Sequence, residues 1–177
     1  RARGGLRKGG CRARVNNSRP CFANVAVRKA IRKGIDKQGF IDLNNGFGTL
    51  IGGPVPPTDP WYEDLTGVAP YDKAAAKKVI DDAGLAGTQL DFEYPNIYPE
   101  TYADYIKSQL AEIDITVNIT PIEFSVWLDT VFTKGNYDLT MVDHVEPHDI
   151  GNYANKDYYW HYDSPPVKNL YAEAKSP

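Results

Sequence analysis

Residues 143–149 pack Asp143, His144, Glu146, His148 and Asp149 directly behind the short apolar run "LTMV". Acids and imidazoles this close together admit three chemistries. The first is a metal site. His144 and His148 are four apart, a spacing that on a helix puts both imidazoles on one face, as zinc needs. Pro147 lies between them, lacks an N–H and clashes with the preceding turn, so one helix does not carry both. The two histidines read as loop residues, and no metal ligand is assigned. The second is acid/base catalysis by a carboxylate pair. No activated nucleophile, phosphate loop or oxyanion motif accompanies the acids: "GGPVPP" lacks the Lys and Ser/Thr of a phosphate loop, and "GFG" is only a flexible turn. No catalytic residue is assigned, and a non-enzymatic protein is expected. The third is recognition. A carboxylate at a cleft mouth holds an amino group through a charge-assisted hydrogen bond. Tyr153, Tyr158 and Tyr159 could cover the apolar part of such a ligand. Trp160 reads as core.

The elements that must position these residues follow from periodicity. "NVAVRKAIRKGIDKQGFI" sets Val27, Ile31 and Ile35, with Ala30 and Gly34, on one helical stripe, and Asn24 is a suitable N-cap. Residues 44–70 are too dense in Gly and Pro for helix or central strand, and a loop this long is functional or draped over another surface. "YDKAAAKKVIDDAGL" is the clearest helix, with Asp72 as cap, Ala76, Val79 and Ile80 on one face, and Gly84 as the stop. Then strand and helix alternate: "TQLDFEY", "PETYADYIKSQLAEI", "ITVNITPI", "EFSVWLDTVFTKG" and "YDLTMV", with a last helix after the two prolines of "SPPVKNLYAEA". Phe124, Trp127, Leu128 and Val131 form the stripe of the second crossover helix. A β-α-β-α-β order of this kind predicts an open α/β sheet, mainly parallel and flanked by helices. Ligands of such sheets sit outside the carboxyl ends of the strands, which is where the acidic stretch begins.

The bulk properties bound the class. At 177 residues the chain can bury one core. Of its 20 Lys/Arg, 11 fall in residues 1–33, where there is no acid; the remainder holds all 23 acids. A basic arm on an acidic body raises the alternative of a nucleic-acid-binding module. Against it, residues 1–14 contain no aromatic for stacking and no helical apolar face. Residues 1–15 are read as a basic Gly/Arg-rich tail without order, and order is expected from about Asn16. Cys11 and Cys21 could close a disulfide in an oxidising compartment, but without nearby histidines they cannot hold zinc. The basic N-terminus is not followed by an apolar stretch, so no secretory signal is read; a processed chain would look the same.

Taken in order, these segments resemble the peptide/nickel-binding family of extracytoplasmic solute-binding proteins of ABC importers. "RPCFAN" followed by "NVAVRKAIRKGIDKQGFI" resembles that family's lead-in and Val-Arg-x-Ala-Ile helix. "GFGTLIGGPVPPTDPWY" resembles its Gly/Pro stretch, and "YDKAAAKKVIDDAGL" its Tyr-Asp-Pro-x-Lys-Ala signature. "KGNYDLTMVD" also fits. The likeness runs from about residue 16 to 177; residues 1–14 do not share it.

The resemblance implies a periplasmic-binding-protein type II-like lobe with a long Gly/Pro loop. It implies a substrate-binding component that captures an oligopeptide or related small solute between two lobes and hands it to an ABC permease in the membrane. Residues 16–177 match part of the C-terminal lobe, so a missing first lobe is expected. The location would be extracytoplasmic, in a periplasm or lipid-anchored at the cell surface, with no cofactor. In peptide-binding members the loop after the strand matching "YDLTMV" supplies an acid for the ligand's amino terminus. "DIGNY" matches the end of that motif, which aligns Asp149, Asn152 and Tyr153. Asp143 and His144 stand where the family has Gly-Trp, and Ile150 where it has Pro. Asp143, Glu146 and Asp149 all remain candidates for the acid, and Asp143, His144, Glu146, Asp149, Asn152 and Tyr153 form the expected ligand-binding set. Nickel or metal-chelate binding is the alternative within the family.

Overall fold

A computed structural model describes residues 10–144 and 149–175. Four strands form one sheet in the order β1-β4-β2-β3. They are β1 (Gly10–Val15), β2 (Gln89–Pro95), β3 (Thr116–Ile122) and β4 (Leu139–His144). β2 runs parallel to β3 on one side and to β4 on the other, while β1 pairs antiparallel with β4. The sheet is therefore mainly parallel, as the alternation of strand and helix predicts.

One expectation fails here. Gly10–Val15 is not a disordered tail: it is a full edge strand, in register from Gly10 opposite His144 to Val15 opposite Leu139. Residues 1–9 lie outside the described residues. The strand is followed by Asn16, which is fully buried. The Asn16 amide donates to the carbonyls of Gly135 (2.8 Å) and Tyr137 (3.1 Å), and its Oδ1 accepts from the Ser18 amide and hydroxyl. These bonds clamp the start of the chain onto the turn that leads into β4.

The helices cover both faces. α1 (Val25–Gly34) is capped by Asn24, whose side chain accepts from the Ala26 amide. The stripe read through Ile35 breaks there: Ile35 is extended, and Asp36 caps a new helix, α2 (Lys37–Leu43), by accepting from the amides of Gln38 and Gly39. An Asp cap of this kind contributes about 1 kcal/mol, enough to favour a restart over continuation. α3 (Lys73–Asp82) is capped by Asp72 and stopped by Gly84, whose φ of +67° suits glycine. α4 (Glu100–Ala111) crosses from β2 to β3. α1, α3 and α4 bury Val27, Ile31, Ile80, Ile106 and Leu110 against Phe92, Val117, Leu139 and Met141 of one sheet face.

The crossover from β3 to β4 passes back over β2. Right-handed crossovers to opposite sides of β2 put α4 and α5 (Phe124–Trp127) on opposite faces. α5 widens into a π-helical turn at Leu128–Thr133, closed by Thr133 Oγ1 donating to the Leu128 carbonyl. The wider turn rotates the expected stripe. Trp127 and Val131 stay buried, while Phe124 and Leu128 are both 42% exposed. Trp127, Val131, Tyr137, Val142, Tyr159 and Trp160 form a second core on this face. The Trp127 indole donates to Thr140 Oγ1 (2.8 Å), which donates in turn to the Glu93 carbonyl (2.6 Å). α6 (Pro165–Ala174) begins at the two prolines themselves, in the first turn, where a missing N–H costs nothing.

The Gly/Pro loop is irregular apart from one short 3₁₀ turn at Thr66–Val68. It is held at Gly52, whose carbonyl accepts from Arg32. Phe47, Trp61 and Val68 remain largely exposed on it. Cys21 is a half-buried free thiol whose pKa is raised, chiefly by burial.

Two stability measurements follow. Asn16→Ala strips a buried residue of several hydrogen bonds and takes the side-chain donor from the Gly135 carbonyl, so it should cost about 2–3 kcal/mol in urea unfolding; a loss under about 0.5 kcal/mol would mean the clamp is dispensable. Glu93 is half-buried with an unpaired Oε2, and its pKa is pushed from 4.5 to about 7, mainly by burial and further by Asp91 and Asp138. A raised carboxyl pKa favours the fold below the unfolded value, and that contribution is lost as pH climbs through about 7. Glu93→Gln should remove this decline and gain about 1–2 kcal/mol near pH 8, a figure discounted for solvent screening. Parallel stability–pH curves for the two proteins would refute the assignment.

Candidate functional site

Because β2, β3 and β4 are parallel, their carboxyl ends lie side by side at Pro95, Ile122 and His144. The chain leaves β2 toward one face and β3 toward the other, and such divergence opens a crevice at the strand ends. The loops there are tied together. The Asn96 amide donates to the Ile122 carbonyl (2.8 Å), and its side chain donates to Glu123 Oε1 (2.7 Å). Tyr98 reaches from the loop after β2 to the end of β4, where its hydroxyl accepts from the Asp143 amide (3.0 Å).

Asp143 is the exposed residue at this edge, with its backbone held by Tyr98 and its carboxylate facing outward. It alternates with Val142 and His144, which turn into the second core. His144 is thus not a loop histidine but the last residue of β4, and it is buried. Its Nε2 lies 2.9 Å from the Tyr159 hydroxyl, and its ring stacks on Tyr159 with planes 10° apart. Trp160 meets the same imidazole edge-on at 5.4 Å. Glu146 and His148 lie outside the described residues. Asp149 opens a 3₁₀ turn, Asp149–Tyr153, and is buried although it is an acid. Asn152 and Tyr153 are half-buried on that turn. Gly151 lies close under α6: a Cβ there would come 2.5 Å from the Tyr171 hydroxyl and push that side chain aside. Tyr153 packs on Trp160 at 5.1 Å and on Tyr162 at 5.9 Å.

The expected residues therefore divide. Asp143 stands at the rim, His144 and Asp149 lie inside, and Asn152 and Tyr153 form the turn between rim and core. Two contributors were not read from the sequence. Tyr98 sits in a loop whose only signal was its proline-rich context, and its partner is 45 residues away. Arg14, counted with the basic arm, lies on β1 with its guanidinium 4.5 Å from the Trp160 ring centre and 5.5 Å from that of Tyr153. Stacking of this kind contributes about 0.5–2 kcal/mol. Other cations of the arm are also spent within the fold: Arg19 pairs with Asp138 at 2.9 Å, and Arg32 donates to Gly52. Among the described residues no group of three or more His, Cys, Asp or Glu is arranged to hold a metal ion, and no helix is long and apolar enough to cross a membrane.

Comparison with known proteins agrees with this architecture. Heme-binding protein A of Haemophilus influenzae is 32% identical over 122 residues, covering 64% of this chain and 22% of that protein. Di/tripeptide-binding protein 1 of Pseudomonas aeruginosa is 30% identical over 129 residues, 68% of this chain and 24% of that one. The chain thus spans about a quarter of the length of these relatives. Among solved structures, the ABC transporter substrate-binding protein CtaP of Listeria monocytogenes superposes with a TM-score of 0.85 at 18% identity, over 94% of this chain and 37% of that one. The periplasmic binding protein DppA of Helicobacter pylori, in complex with the peptide STSA, gives 0.81 at 22% identity, over 94% and 35%. Residues 6–171 match the model of the bacterial extracellular solute-binding proteins, family 5, middle region, and the chain belongs to that family.

Proposed function

We propose that this chain forms part of the second lobe of a solute-binding protein of an ABC importer, and that its strand-end edge is one wall of the ligand cleft. The bound solute is an oligopeptide or a related small molecule bearing an amino group. The protein is a binder, not an enzyme, and it works outside the cytoplasm, in a periplasm or lipid-anchored at the cell surface. Its partners are the first lobe and the membrane permease that accepts the solute. Ligand bridging of the lobes would stabilise a closed state through contacts made only there.

One observation carries the reading. An acid, Asp143, is displayed at the carboxyl edge of a parallel sheet by a backbone bond to Tyr98, and its strand neighbours Val142 and His144 turn into the aromatic cluster on the other face. An exposed carboxylate held this way can take an ammonium group, and nearby rings can cover apolar atoms. Asp149 remains a second candidate acid, and Asn152 and Tyr153 flank it. The peptide names of several relatives support the same ligand class.

A metal or heme ligand is the competing reading, since one relative is a heme-binding protein. The geometry favours it less, because His144 Nε2 already faces the Tyr159 hydroxyl inside the second core.

Calorimetric titration of the intact two-lobed protein with di- and tripeptides, Ni²⁺ and heme separates these readings. Peptide binding is expected, and Asp143→Asn should weaken it by roughly tenfold or more, the loss of one charge-assisted contact. Peptide affinity unchanged in both Asp143→Asn and Asp149→Asn, or heat from Ni²⁺ alone that vanishes in His144→Ala, would overturn the proposal.

A further inference from the structure

Among the described residues of the arm, Arg14 is the cation that enters the second core. Its Nε and Nη2 are both buried and have no hydrogen-bond partner. These two nitrogens form one edge of the guanidinium, the edge whose N–H bonds run parallel and match the two oxygens of a carboxylate. Trp160 Nε1, on the ring against which the guanidinium lies, is a third buried donor without an acceptor. Trp160 itself is 98% buried, being only 2% exposed. Among the described residues no carboxylate pairs with Arg14. Natural cores rarely leave one buried donor unpaired, and three in a single aromatic box, all of one polarity, define a place for an acceptor.

The box is built rather than incidental. Arg14 is fixed on β1 by its pairing opposite Thr140, and Thr140 is locked between Trp127 and the Glu93 carbonyl. Tyr153 closes one side at 5.5 Å from the guanidinium carbon. Tyr137 and Tyr159 lie behind, joined by the Tyr137 hydroxyl donating to the Tyr159 carbonyl at 3.0 Å. Arg14 as a whole keeps partial exposure, but Nε and Nη2 themselves are buried, so a ligand reaches the fork only as the surrounding rings move aside.

We infer that Arg14, with the Trp160 indole N–H beside it, forms a carboxylate-binding site that accepts the free carboxylate of a small acid or of a short peptide. The planar fork selects a carboxylate over a spherical anion, and the aromatic walls strengthen the bond by excluding water. The inference adds a ligand group to the solute-capture reading but does not need the other lobe, so it can be tested on this chain alone.

The test follows the indole Nε1–H of Trp160 by two-dimensional NMR of the 177-residue chain. Its signal is assigned through Trp160→Phe. Sodium acetate, acetamide, diglycine and diglycine amide are titrated at constant ionic strength maintained with chloride. A saturable displacement is expected with acetate and diglycine, and none with acetamide. Diglycine without acetate would point to a peptide terminus as the source, and both together to any small carboxylate. Arg14→Met, which keeps the packing volume, should weaken the effect by roughly tenfold or more. Should that variant fail to fold, Arg14→Lys keeps the charge but loses the fork, and the preference for carboxylate over chloride should fall with it. No displacement by either carboxylate, an equal displacement by acetamide, or an unchanged response in both Arg14 variants would overturn the inference. Failure here would leave peptide capture by the intact protein untouched, because that is read by a separate titration.

Discussion

Everything in this lobe depends on β4 being covered on both faces. Leu139 and Met141 face the helices of the first core, while Thr140, Val142 and His144 face the aromatic second core. A parallel strand in this position cannot lie at a wet surface, and its near-continuous apolar run reflects that. The crossover from β3 must therefore bring a helix to the second face, and the segment after β4 must fold back over the same face. Those two requirements set where α5, the turn at Asp149–Tyr153 and the pair Tyr159–Trp160 lie.

Polar groups inside this arrangement are used sparingly and with partners. Thr140 joins the Trp127 indole to the backbone of β2, so one hydroxyl fixes α5 on the sheet. Asn16 does the same for the chain start, binding the carbonyls of Gly135 and Tyr137. Glu93, Arg14 and Trp160 depart from this: each has a buried nitrogen or oxygen without a hydrogen-bond partner. All three lie on the face that carries the second core, against the rule that interior polar atoms are satisfied. That concentration distinguishes this face from the one covered by α1, α3 and α4, where the core residues are apolar.

The charge asymmetry of the sequence takes on a different meaning in the fold. Arg14, Arg19 and Arg32 are each spent on an aromatic box, an ion pair and a loop carbonyl of the same chain. What the composition presented as a free arm is partly an internal fastening. The acids behave likewise. Asp36 and Asp72 cap helices, and only some, Asp143 among them, are displayed at the strand-end edge.

The sequence by itself determined the elements whose information is local. The α3 helix was legible because cap, apolar face and Gly84 stop lie within a dozen residues of each other. β2, β3 and β4 were legible from alternation and apolar runs, and the parallel order followed from the lengths between them. Only the tertiary structure decided the rest, because its causes are distant in the chain. β1 carries arginines where a strand signal would be apolar, and it becomes a strand only because β4, more than 120 residues on, offers its open edge. His144 reads as a loop residue until the strand extends to include it and Tyr159 closes over it. The widened turn in α5 moved Phe124 and Leu128 outward, a phase shift no hydrophobic pattern encodes. Periodicity reports which face of an element is apolar; which partner that face meets is set by chain crossings that no short window of residues contains.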